Sequence, residues 1–402
     1  MQGLRHLRFS NPKGIVSSSP AVAGLRGTSC LGSRSDRFST PTGLRHIAAD
    51  GPQPRWGCGP TAQFPRVARA SQPWAWCRNP FGIQLWNSRK ALALKPIFLF
   101  ILGIFLAMSS PAASAAETNK IKILIVDGFS NHDWKQTTAL LRGILEPTGL
   151  VEVSVSTAPP TNHAPEWSTW RPKFSDYDVV IQTYNDLKGG TPWPKEVQTA
   201  FENYVTHGGG FFDYHSANNA FAKWPAYNEM IGLGWRNKDF GWAISVDTNE
   251  NLVRIPAGEG MNTSHGPQTN VVIHRLGEHP IHAGLPKKWQ TPHLEVYYYA
   301  RGPAKNLEVL SYGFDARTKM NWPTEWTVAY GQGRVYNATF GHVWKGDVQP
   351  AALRCAGVQT ILVRALQWLA KRPVDFPVPT DFPTADKLSI RAEIPIATKP
   401  EH

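Results

Sequence analysis

The residues of this 402-residue chain best suited to chemistry are His215, His342 and Glu295. His215 follows the apolar run Phe211-Phe212-Asp213-Tyr214, and His342 follows Thr339-Phe340-Gly341. Two neutral imidazoles in one polar pocket can bind a divalent metal such as zinc, with Glu295 as a carboxylate ligand, or share a proton as general base and acid. Their spacing is non-local and matches no local metal signature of the HExxH kind, so both readings stay open.

Around these three lie groups suited to holding a ligand: His132, Asn185, Asn218, Trp235, His265, Tyr297 and Trp344. Tryptophan is abundant, with 16 in the chain, and many fall beside polar loops. An indole can stack on the apolar face of a pyranose while amides meet its hydroxyls, so the expected partner is a small carbohydrate. At least half of the tryptophans are expected in ordinary core or lid packing. His279 precedes Pro280 in an expected turn, and His274 and His282 read equally well as surface or satisfied core residues or as ligands. His163, His207 and His402 fall at loop, helix-end and tail positions.

The elements that must position these groups alternate. Ile121–Val126 reads as a buried strand, Trp134–Leu145 as an amphipathic helix, Val151–Val155 and Asp178–Thr183 as strands, Pro194–Val205 as a helix, and Phe211–Tyr214 as a fourth strand. Order returns with the strands Trp326–Tyr330 and Arg334–Phe340 and one long helix, Ala351–Leu369. Such alternation predicts an α/β fold: an open, mostly parallel sheet with right-handed crossovers and helices on both faces. Residues 235–303 are less periodic, with candidate strands at Trp242–Val246, Val271–His274 and Glu295–Ala300, and read as an inserted lid. Ligands of open α/β sheets bind at the carboxyl ends of the strands. His132, Asn185, His215 and His342 all fall there.

Charge is distributed unevenly. Residues 1–95 hold 14 Lys/Arg against two acids, which accounts for the whole-chain +12, while the remainder balances 28 bases with 28 acids. The basic excess therefore excludes a nucleic-acid-binding reading of the folded part. Residues 1–88, rich in Ser, Arg, Gly and Pro without periodicity, are expected to be a disordered extension. Residues 89–116 combine Arg89-Lys90, the apolar run Pro96–Met108 and Ala113-Ser114-Ala115, and read as a secretory signal. That predicts a periplasmic or secreted protein with no membrane span after cleavage. Because a signal normally opens a chain, a start placed too early is favoured over an unusually long leader. Cys30, Cys58 and Cys77 precede the cleavage site, which leaves Cys355 alone in the mature part, as a buried helix residue. Residues 373–402, with four prolines from Pro373 to Pro383, read as a tail draped over the surface.

Several segments occur together in the order of one known family. They are His132, Gly208-Gly209-Gly210 leading into His215, His279-Pro280-Ile281 with Gly284-Leu285, Glu295-Val296-Tyr297, Trp326 before Gly331-Gln332-Gly333-Arg334-Val335, and Gly341-His342. Over residues 120–372 the chain resembles the trehalose-utilisation, ThuA-like family, whose fold is that of the class I glutamine amidotransferases (flavodoxin-like). The resemblance implies that His215 stands where amidotransferases carry the nucleophilic cysteine and His342 where they carry the activating histidine. Two imidazoles cannot form a thiolate pair, so amidotransfer is excluded. The family's Asp-Glu-Leu-Tyr reads Leu294-Glu295-Val296-Tyr297 here, and its Gly-Gly-x-Phe motif appears as Gly232-Leu233-Gly234-Trp235 without a following histidine; His265 is the candidate replacement.

Two functions are carried forward. One is an enzyme, a lyase, isomerase or hydrolase, acting on a sugar or keto-glycoside by His-centred acid–base or metal-assisted chemistry. The other is a carbohydrate- or partner-binding module that has kept the fold and lost the chemistry. A homodimer is compatible with either.

Overall fold

The computed structural model describes residues 120–396. The expected extension (1–88) and signal segment (89–116) lie outside them. In chain order the elements are β1 (Ile121–Asp127), α1 (Trp134–Leu145), β2 (Val151–Thr157), β3 (Val179–Gln182), α2 (Lys195–Thr206), β4 (Gly210–Tyr214), α3 (Pro225–Ile231), β5 (Trp242–Val246) and β6 (Leu252–Ile255). There follow β7 (Ser264–His265), β8 (Thr269–Arg275), β9 (Lys288–Leu294), β10 (Tyr297–Tyr298), β11 (Arg301–Gly302), β12 (Leu307–Asp315), β13 (Met320–Tyr330), β14 (Gly333–Ala338), α4 (Ala351–Arg354) and α5 (Ala356–Leu369).

The strand order is β2-β1-β3-β4-β14-β13-β12-β8-β9. Its first five strands are mutually parallel. Alternate side chains of β1 show why helices cover both faces: Ile123 and Ile125 pack with Leu140, Leu141 and Ile144 of α1 and with α5, whereas Leu124 and Val126 join Val197, Phe201 and Tyr227 from α2 and α3. A strand buried on both sides has no polar face to present, which is why β1 from Ile123 to Val126 and β3 from Val179 to Ile181 read as apolar runs.

Beyond β14 the sheet turns antiparallel through β13, β12, β8 and β9. The region expected as a lid thus contributes β8 and β9 to the main sheet, and β5 also joins it through β13. Two of these strands gave weak sequence signals for physical reasons. β12 carries register shifts between Val309 and Tyr312 that break its alternation, and β9 contains Pro292, which ordinarily argues against a strand.

The single helix expected over Ala351–Leu369 is two. Cys355 is extended, with φ −64° and ψ 123°, and bridges Ile390. Ala356 N donates to Ser389 O at 3.0 Å and Arg391 N to Arg354 O at 2.8 Å, so the tail's backbone takes up groups that a continuous helix would have used. The tail packs closely: Ile394 is buried, and Phe376, Val378 and Phe382 lie on the core.

Candidate functional site

The carboxyl ends of β1, β4 and β14 each deliver one histidine to a common point. His132 comes from the loop between β1 and α1, tied down where Asp133 caps the helix by accepting from Gln136 N at 3.1 Å. His215 begins the turn after β4 with φ +46°, a left-handed conformation that a residue with a Cβ adopts at a cost of order 1–3 kcal/mol and holds only where its surroundings fix it. His342 follows Gly341, whose φ is +93° and where a Cβ would overlap the Tyr214 hydroxyl; that hydroxyl instead donates to Gly341 O at 3.0 Å. The three ring centroids lie 5.1 Å (His132–His215), 5.0 Å (His132–His342) and 5.3 Å (His215–His342) apart, with planes nearly perpendicular.

Their tautomers follow from their partners. His215 Nδ1 lies 2.9 Å from Thr339 O, and His132 Nδ1 3.1 Å from Asn131 Oδ1. Both oxygens can only accept, because Asn131 Oδ1 already takes a hydrogen bond from Asn185 Nδ2 at 2.9 Å. Each Nδ1 therefore carries the proton and each Nε2 is left as an acceptor. At His215 that acceptor faces the Tyr297 hydroxyl, 3.3 Å away. Burial, reinforced by the neighbouring His342 and His265, lowers the His132 pKa to about 3. Burial and then His132 and His342 push His215 well below its ordinary value. Burial also lowers His342, against the pull of Glu295 and Asp347. All three are neutral at pH 7.

Glu295 lies beside this triangle. Its Oε1 is 3.4 Å from His342 Nε2 and 3.7 Å from His265 Nε2, and it accepts from Gln268 Nε2 at 2.9 Å. Pairing of β7 with β10 sets His265 opposite Tyr297, which brings these two irregular segments over the strand ends. Trp344 stacks parallel to His342 at 6.0 Å, and Trp235 meets Tyr297 edge-on at 5.2 Å. His132, Trp235, His265, Glu295, Tyr297, His342 and Trp344 all line one cavity of about 540 Å³. His215 lies immediately beneath, reached through His132 and Tyr297.

A model of the ThuA family, described as trehalose utilisation, matches residues 122–369. The chain belongs to that family. A ThuA-like protein from Parabacteroides merdae superposes with a TM-score of 0.62 at 33% identity, over 68% of this chain and 98% of that one. A second, from Bacteroides uniformis, is 19% identical with a TM-score of 0.43, over 64% of this chain and 94% of that one. No curated protein matches the chain. Membership of ThuA ties the protein to carbohydrate utilisation. Among the described residues no helix is long and apolar enough to cross a membrane.

Besides His215, which lies beneath it, two of the residues singled out in the sequence do not line the ThuA cavity. Asn218 is buried, and its carbonyl accepts from Trp235 N and Arg236 Nη1 at 3.2 and 2.9 Å; its neighbour Asn219 faces the cavity in its place. Asn185 stands behind His132, holding Ser130 and Asn131. Gln268, which bridges Glu295 and His342 (3.1 Å to Nδ1), was not singled out, although it adjoins His265-Gly266-Pro267. Asn131, Lys188 and Asp347 also line the cavity, and nothing in residue type alone separated them from other loop polar groups.

Proposed function

We propose that this protein is an exported enzyme acting on a sugar or keto-sugar derivative, with Glu295 as the proton carrier. The observation that carries the reading is a carboxylate with the neutral imidazoles of His132 and His342 at one wall of a 540 Å³ cavity, His215 directly beneath them, and Trp235 and Trp344 in the other walls. A cavity of that size suits a sugar-sized ligand. The tryptophans would stack on ring faces, with Asn131 and Asn219 within the same lining to meet hydroxyls. Glu295 accepts only one side-chain hydrogen bond, from Gln268, so its carboxylate retains capacity to take a proton from a substrate carbon or hydroxyl. His132 and His342, which line the cavity beside it, provide imidazole nitrogens for whatever electrophilic or protic group enters. Isomerisation, elimination and hydrolysis of a keto-glycoside each need such a proton transfer.

Turnover of keto-disaccharides and of the parent sugars by the purified protein, compared with Glu295→Gln, tests the reading. The expected result is conversion that the substitution abolishes. Sugar binding without turnover, unchanged when His215 and His342 are both replaced, would identify a binding module instead. Export is tested by terminal sequencing of the mature protein, expected to begin near Ala116. A mature form that retains Cys77 would contradict it.

A further inference from the structure

The histidine triangle has features that sugar binding alone does not require. The side-chain nitrogens that His132, His215 and His342 can offer lie within 4.8 Å of one another, and all three residues are buried. Imidazole lone pairs brought this close repel unless a proton donor or a cation stands between them. Tetrahedral coordination by imidazole nitrogens at ~2.0–2.1 Å would set ring centroids roughly 5 Å apart. The observed separations are 5.0, 5.1 and 5.3 Å. Histidine ligands to metals also usually donate their other ring N–H to an oxygen that fixes the tautomer. His215 does so to Thr339 O and His132 to Asn131 Oδ1.

We infer that His132, His215 and His342 form a three-histidine site for one divalent transition-metal cation of the zinc class. The site is new relative to the sequence reading, in which His132 was a substrate contact and only His215 and His342 were considered as a metal pair. All-nitrogen donors favour zinc and its neighbours over magnesium or calcium, which take oxygen. Three protein ligands leave a tetrahedral ion one position for an outside group, the arrangement of catalytic rather than structural zinc. The Glu295 carboxylate, 3.4 Å from His342, balances part of the added charge. The inference rests on the proposed function only in taking this cavity as the reaction site, since metal binding can be measured with no sugar present.

The test uses the purified full-length chain, stripped with a chelator and titrated calorimetrically with zinc chloride, with bound metal counted after desalting. The expected result is one zinc per chain and no magnesium uptake at the same concentration. Cobalt(II) on the unmutated protein should show the visible absorption of a tetrahedral nitrogen-ligated ion, a readout that no folding defect in a variant can confuse. His132→Ala, His215→Ala and His342→Ala should each weaken zinc binding by roughly 10²-fold or more, and Asn131→Ala by ~10-fold through loss of the His132 partner. His163→Ala and His207→Ala should leave it unchanged. Less than about a tenth of an equivalent of zinc bound at saturation, binding that survives loss of all three histidines, or cobalt without tetrahedral bands would overturn the site. Sugar turnover by the metal-free protein would leave the proposed enzyme standing while removing its metal. Stoichiometric zinc without sugar turnover would do the reverse.

Discussion

Two buried histidine–glutamate clusters sit in this molecule, and they are built to opposite rules. In the antiparallel half, Glu325 of β13 is fully buried and accepts from Ser311 Oγ at 2.5 Å, Tyr336 OH at 2.6 Å and His282 Nε2 at 3.2 Å. Burial alone would raise its pKa, but His282 and the two hydroxyls hold it below the ordinary glutamate value. At the parallel strand ends, Glu295 accepts from one amide, and it lines a cavity together with His132 and His342, with His215 beneath them. The first cluster satisfies its carboxylate internally and leaves His282 Nδ1 unpartnered away from any cavity; the second keeps carboxylate capacity in reserve beside one. Residue types are the same in both, so the distinction between a structural polar network and a candidate site lies in what is left unpartnered and beside a cavity.

The same substitution in each cluster should break the comparison most clearly. Glu295→Gln is expected to lower sugar turnover by roughly 10²–10⁴-fold, with the unfolding midpoint little changed. Glu325→Gln is expected to cost about 3 kcal/mol of unfolding free energy, because it leaves His282, Ser311 or Tyr336 without a charged acceptor, while turnover per folded molecule stays near normal. Denaturant titration alongside kinetics checks both. Reversed outcomes would mean that the open cluster is structural and the closed one functional.

A pH scan sharpens the same contrast. His279, next to the closed cluster, accepts from Ile281 N at 3.3 Å, and burial followed by the nearby His282 lowers its pKa to about 4. The unfolded chain binds its proton near pH 6.5 and the folded one only near 4, so stability should fall on acidification through that window. His279 should contribute about 1–3 kcal/mol of that loss, and His279→Gln should remove that share of the slope while His132 and His215, lowered by burial at the open cluster, keep the rest. At the cavity, Trp344 is 47% exposed and stacked on His342, so its removal opens no large core void. Trp344→Ala should weaken sugar affinity roughly 10-fold, about 1.4 kcal/mol, without shifting the unfolding midpoint. An unchanged affinity would remove the indole from the ring platform.

Legibility in the sequence followed the same division. The parallel half announces itself because strands buried on both faces must be apolar throughout: β1 and β3 were visible as runs, and so were the histidines that follow the strand ends. The antiparallel half was harder to read, since β9 accommodates Pro292 and β12 is bulged, and neither keeps a clean period. His132, His215, His342 and Glu295 could each be named, but their grouping could not. The grouping depends on β4 lying between β3 and β14 and on β7 pairing with β10, contacts between segments many residues apart. In the 3-10 turn after β4, Asn218 is buried while its neighbour Asn219 lines the cavity, a distinction that residue type alone does not carry.

Cys355 provides the smallest expected effect. It is the free cysteine of the described residues and lies fully buried at the break between α4 and α5, its Sγ 3.9 Å from Gln290 O. It packs in the core layer with Ile361, Leu362 and Trp289 and lines no part of the candidate site. Burial raises its pKa, so it is a thiol rather than a thiolate and reacts slowly with blocking reagents. Serine is close in volume and its hydroxyl can donate to Gln290 O, which offsets part of the cost of burying a more polar group. Cys355→Ser should therefore cost about 1 kcal/mol or less in unfolding free energy and leave turnover unchanged. Loss of turnover on stoichiometric labelling of Cys355 in the folded protein would bring thiol chemistry back and dissolve the contrast between the open histidine cluster and the rest of the core.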